Sequence, residues 1–140
     1  MHNVNPHHIK GVIVMSANFP YYYGNEAEQY VFYQVPKLLI TDDRFSHVST
    51  DAKMLYGLML DRMSLSIKNG WRDENNRVYI YFPVELVMEA LHCKSEKATK
   101  LLAELDSKKG IGLIERVRQG QGKPSIIYVK NFAANPPVPP

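Results

Sequence analysis

Between residues 49 and 70 the chain carries its longest periodic pattern. Ala52, Leu55, Tyr56, Met59, Leu60, Met63 and Ile67 recur at the spacing of one helix face, which predicts a long helix with that face buried. Ser49 is suited to cap its start, Asp51 sits in the first turn where the helix dipole favours a carboxylate, and Asn69-Gly70 stops it. Met54, Leu58 and Leu65 fall off the main face and form a second, thinner apolar strip, which serves either as extra core or as a contact with an arm or a second copy. Beyond it, "DENN" reads as a turn and "RVYIYF" (77–82) as a strand, and Pro83 can open a helix whose stripe is Val84, Val87, Met88 and Leu91. "HCK" is a tight link. Ser95 then caps a further helix running to about Lys109, ended by Gly110 and Gly112. Glu115–Arg118 and Ser125–Lys130 alternate as strands, with Gly120 and Gly122 marking the hairpin between them.

Upstream the pattern is weaker. Tyr30–Val35 reads as a strand that Pro36 confines to an edge or an end, and Lys37–Ile40 turns briefly helical. Residues 1–28 lack periodicity and read as an irregular segment, and "AANPPVPP" reads as an extended proline-rich linker or tail. The division is therefore 1–28, a domain over 29–132, and 133–140.

Helix, strand, helix, short turn, helix, strand, glycine loop, strand is the order of an α+β winged helix-turn-helix domain, here with an N-terminal strand or arm. The third helix tests this. Ala98, Leu101, Leu102 and Leu105 share its inward face, while Glu96, Lys100, Ala103 and Ser107 look out, flanked by Lys97 and Thr99. A recognition helix sets its N-terminal half in the major groove, so Lys94, Ser95, Lys97, Thr99, Lys100 and the small Ala103 are the candidate contacts to bases and phosphates. Lysine can donate to guanine acceptors, and threonine offers a hydroxyl or a methyl. Glu96 either accepts from a cytosine amino group or helps cap the helix. The loop "RQGQGKP" becomes the wing tip, with Arg116, Arg118, Gln119, Gln121 and Lys123 as its DNA-facing residues.

Charge agrees with this placement. The net +3 is small, but residues 93–140 hold nine Lys or Arg against four Asp or Glu, whereas residues 41–92 hold six against eight. No apolar run is long enough to span a membrane, and Gly11–Met15 is too short for a signal peptide. The single cysteine, Cys93, excludes an intramolecular disulfide and a cysteine zinc cluster and suits a reducing cytoplasm. His2, His7 and His8 have no second ligand cluster at metal spacing, so no metal and no cofactor is expected. Tyr21–Tyr23 reads as packing or partner surface. A nicking enzyme with a tyrosine nucleophile would use a histidine pair separated by one apolar residue, and His7-His8 are adjacent. A winged-helix transcription regulator uses the same duplex contacts and is not separable on physical grounds, while a winged helix serving only protein contacts would be indifferent to Lys100 and the wing arginines.

"FYQVPKLL", "AKMLYGLMLDRMSLSIKNGW", "VYIYF", "CKSEKATKLLAEL" and "ERVRQGQGKPSIIYVKNF" together resemble the N-terminal domain of RepA-type replication initiators of plasmids from Gram-positive bacteria. The resemblance runs from Phe32 to Phe132. It implies a non-enzymatic, dimeric winged helix that binds repeated sites in double-stranded DNA at the plasmid origin. It places recognition on Lys97, Thr99 and Lys100, and the wing role on Arg116, Arg118, Gln119 and Lys123. Dimerisation would use the strand bearing Phe32, Tyr33 and Val35 with Met54, Leu58 and Leu65 of the thin strip. The resemblance also implies contacts to host replication proteins through a C-terminal domain, which is not expected within these 140 residues.

Overall fold

The structure is a computed structural model that describes residues 4–9, 12–15, 18–25 and 31–134. It divides into two compact units, Met1–Phe32 and Tyr33–Pro140. In the first, β1 (Val4–Ile9) and β2 (Val12–Met15) form an antiparallel hairpin that pairs Val4 with Met15 and Ile9 with Val12, with an irregularity between Val4 and His8. The irregular backbone expected over 1–28 is thus corrected at these strands. Tyr21–Tyr23 are exposed.

The second unit begins with residues 33–36 in no regular element. The strand expected at Tyr30–Val35 does not form over its described residues, 31–35, and Tyr30 lies outside them. The reason is packing. No described strand runs beside this segment, and the Gln34 carbonyl lies over Gly57, where an added Cβ would sit 2.9 Å from it. A short α1 (Lys37–Thr41) and a single 3-10 turn (Asp43–Phe45) follow.

α2 (Thr50–Asn69) forms as its periodicity predicts. Ser49 caps it, its hydroxyl accepting from the Ala52 amide at 3.1 Å, and Gly70 ends it at φ 75°, a left-handed geometry that glycine adopts without strain. Ala52, Leu55, Tyr56 and Met59 are wholly buried, Leu60 and Met63 half-buried, and Ile67 is exposed. The buried face therefore fades towards the C-terminus.

The strand expected over 77–82 is realised as bridges. Ile80 exchanges both backbone hydrogen bonds with Ile127, at 2.8 and 2.9 Å, and Val78 bridges Arg72. α3 (Val84–Leu91) starts one residue after the expected proline position, with Pro83 as the cap, and His92 leaves it at φ 52°. α4 (Ser95–Leu105) follows α3 after three residues, 92–94. β3 (Ile114–Val117) and β4 (Ile126–Val129) pair antiparallel, Arg116 opposite Ile127. The core lies between α2, α4 and this ribbon, with Leu55, Tyr56, Ile80, Leu102, Leu105 and Ile114 at its centre. Helix-turn-helix and ribbon together make a winged helix.

α4 is shorter than expected. It stops at Leu105 because Asp106 turns extended (φ −70°, ψ 149°), bridges Ile114 and receives hydrogen bonds from Arg116. The Gly110 amide then donates to Asp106 and that of Ile111 to Glu104, folding residues 107–111 tightly against the helix end.

Candidate nucleic-acid interface

α4 presents two chemically distinct sides. Ala98, Leu101, Leu102 and Leu105 are buried, anchoring the helix, while Lys94, Ser95, Glu96, Lys97, Thr99 and Lys100 are all exposed. Lys94, not Ser95, occupies the cap position, and no side chain caps the helix. Its first amides therefore lie open at the positive end of the dipole, a surface suited to an anion. Ala103 is half-buried rather than open, and Ser107 lies past the helix end.

The start of α2 borders this surface. Lys97 pairs with Asp51 at 2.7 Å, and the hydrogen bond and charge of that carboxylate raise the lysine above its usual value. Glu104 accepts from the Ser49 amide at 2.8 Å. Lys100 lies with Ser49, Asp51, Glu96, Lys97, Leu101 and Glu104 around a concavity of about 460 Å³. Neither Lys94 nor Lys100 is in an ion pair among the described residues.

The wing tip is open throughout. Residues 118–125 are exposed, including Arg118, Gln119, Gln121 and Lys123. Gly120 (φ 121°) and Gly122 (φ 80°) take conformations that other residues rarely adopt, and the Lys123 amide closes the tip on the Gly120 carbonyl at 3.2 Å.

Arg116 is held differently from the other wing cations. Expected on the wing's DNA-facing side, it is half-buried, and its guanidinium pairs with the buried Asp106 at 3.2 Å. A carboxylate removed from water needs a cation, and Arg116 is the one that satisfies it. Burial alone would raise the Asp106 carboxyl, but the hydrogen bond and charge of Arg116 outweigh it and hold it below the usual range. The need for a partner, though not which residue supplies it, was traceable in the sequence. Asp106 falls at an inward phase of α4, four residues after Leu102, where a carboxylate demands a partner.

Residues 31–138 of this chain match the family described as replication initiator protein A (RepA) N-terminus. The chain belongs to that family. Among solved structures it is similar to one titled "N-Terminal domain of DNA binding protein" and another titled "Structure of Rep-DNA complex". Each is 35% identical with a TM-score of 0.67, covering 84% of this chain and 88% of the other. A third, "Structure of MDR initiator", is 29% identical with a TM-score of 0.64, covering 83% and 89%. A curated relative, "41 kDa protein" of Lactobacillus helveticus, is 33% identical over 90 residues. This aligned part spans 64% of the chain but only 25% of that relative. Within the RepA N-terminal family, the described residues show two kinds of element around the helix-turn-helix: cations presented to solvent, and cations tied to the protein's own carboxylates.

Of the residues expected to support self-association, those in the second unit lie on a different part of its surface. Phe32, Tyr33, Met54 and Leu65 are exposed, and Val35 and Leu58 half-buried. Tyr33, Leu58 and Leu65 line one concavity with Leu86 and Ala90, and Val35 and Met54 line another with Ile40. No helix among the described residues is long and apolar enough to cross a membrane.

Proposed function

We propose that this chain binds repeated double-stranded sites at a plasmid origin and so nucleates replication, with α4 in the major groove and the wing tip along adjacent phosphates. The observation that carries the reading is the leucine-backed α4, whose opposite side exposes Lys94, Thr99 and Lys100 around an uncapped N-terminus. Lys100 and Thr99 read bases, Lys94 and Lys97 hold phosphates, and Arg118, Gln119, Gln121 and Lys123 follow the backbone. The likeness to a Rep–DNA complex supports a duplex as the partner, and the match to replication initiators supports an origin over an operator.

The role is one of binding rather than catalysis, and it takes place in the cytoplasm, where plasmid origins are. A single winged helix makes a small interface, so two copies on neighbouring repeats supply the affinity. The open strip on α2 with Tyr33 and Val35 is the surface on which they meet. The test is fluorescence anisotropy on a duplex carrying the origin repeats and on a scrambled duplex, over a salt series. Tighter binding to the repeats, with log K falling linearly in log salt, supports the reading; equal affinity for both duplexes overturns origin recognition.

A further inference from the structure

The recognition helix and the wing meet at one ion pair. Asp106 lies immediately after α4 and is 5% exposed. Its carboxylate accepts from the Arg116 guanidinium at 3.2 Å and from the Arg116 amide at 3.4 Å. Its own amide donates back to Leu102 and Ala103 of α4. Arg116 in turn sits opposite Ile127, which holds Ile80 by two backbone hydrogen bonds. One carboxylate therefore ties the end of the helix to the middle of the ribbon. The wing's exposed cations begin two residues beyond Arg116.

We infer that Asp106 is a positioning residue for DNA binding: by holding Arg116 it fixes the angle of the wing to α4, and Arg116 itself makes no phosphate contact. This rests on the duplex-binding reading above. The geometry favours it over a DNA role for Arg116 because the guanidinium is engaged by the one buried carboxylate among the described residues. Moving Arg116 to a phosphate would strand that charge in the core.

The two roles predict opposite signs. If Arg116 were a phosphate contact, Asp106→Asn would release it and strengthen binding, and Arg116→Gln would lower the salt slope by about one unit. If the pair is a clamp, Asp106→Asn and Arg116→Gln both weaken binding. Each then lowers the slope by up to about two units as Arg118 and Lys123 lose their register. The double variant, which strands no charge and so folds even where a single one fails, should be no worse than either.

The experiment is a salt-series titration of the unmodified chain and the three variants on the repeat duplex, with hydroxyl-radical footprinting and a melting curve for each. Loss of the wing's footprint, with protection by α4 retained, supports the inference. Tighter binding by Asp106→Asn, additive losses, or a double variant with the wild-type footprint overturns it. Failure of the unmodified chain to bind the duplex overturns the parent reading instead, and the inference with it.

Discussion

The backbone amide of Ser49 donates to the carboxylate of Glu104 at 2.8 Å, joining the start of α2 to α4 across fifty-five residues of sequence. The Ser49 hydroxyl simultaneously caps α2 through Ala52. This is a capping box whose acidic member comes from another helix. Glu104→Ala leaves that amide without its charged acceptor and should destabilise the fold by about 1–2 kcal/mol. Urea unfolding measures this. A change within a few tenths would mean that solvent replaces the carboxylate without loss.

Gly57 is the second point of close approach. An alanine there gains up to about 1 kcal/mol of helix propensity, but its Cβ would meet the Gln34 carbonyl at 2.9 Å and the Val35 side chain at 3.2 Å. The first of these is backbone, so the segment at 33–36 must move, at a cost of about 1–3 kcal/mol. Overpacking wins, and Gly57→Ala should lower the melting temperature. A raised melting temperature would show that the segment moves freely.

These two contacts mark the limit of what the sequence disclosed. The faces of α2 and α4, the Ser49 cap, the Gly70 stop and the glycine wing were legible because each is local, set by period or by backbone sterics. The strand expected at 30–35 was misread because alternation of aromatic and β-branched residues says nothing about whether a neighbour is there to pair. Ser49–Glu104 and Asp106–Arg116 were hidden for the same reason, since both couple residues that only the fold brings together. Among candidate contacts, Lys97, Thr99 and Lys100 landed outside as their phase required. Arg116 did not, because strand alternation gives two faces but not which one meets a buried carboxylate.

Asp73 gives the fold an acid-sensitive knot. It accepts from the Tyr128 hydroxyl at 2.8 Å and from Arg77 and Asn75. Desolvation pushes its carboxyl up, but these donors prevail and bring it to about 2. The unfolded value is about 3.9, so the folded one is depressed. The stability it contributes is complete above the unfolded value and is lost as pH falls towards the folded one, between about pH 4 and 2. Asp73→Asn should flatten the melting temperature over that window, and Tyr128→Phe should shift the carboxyl upward by NMR titration. An unchanged pH profile in the asparagine variant would assign the acid transition to other carboxylates.

Lys100 and Lys123 are predicted to differ in kind. Lys100 projects from the middle of the exposed side of α4, so Lys100→Ala should cost about 1–3 kcal/mol on the repeat duplex and little on scrambled DNA. Lys123 lies on the wing tip, so Lys123→Ala should weaken both duplexes alike and reduce the salt slope by about 0.9. Equal losses on both duplexes would demote Lys100 to a phosphate contact, and an unaltered slope would remove Lys123 from the interface.

Leu65 is the cleanest probe of self-association. Leu58 lies on the same strip, but it packs against the core, so a charge there would confound unfolding with dissociation. Leu65 is 46% exposed and shares its concavity with Tyr33 and Ala90, so Leu65→Glu places a carboxylate at the proposed contact while sparing the buried face of α2. Burying that charge between two copies without a partner is costly, which favours the monomer. Sedimentation should show a dimer for the unmodified chain and a monomer for the variant, with the same far-ultraviolet circular dichroism. The variant should also bind a single repeat as before and a paired site more weakly, because only the second copy's contribution is lost. A variant that remains dimeric would move the contact off this strip.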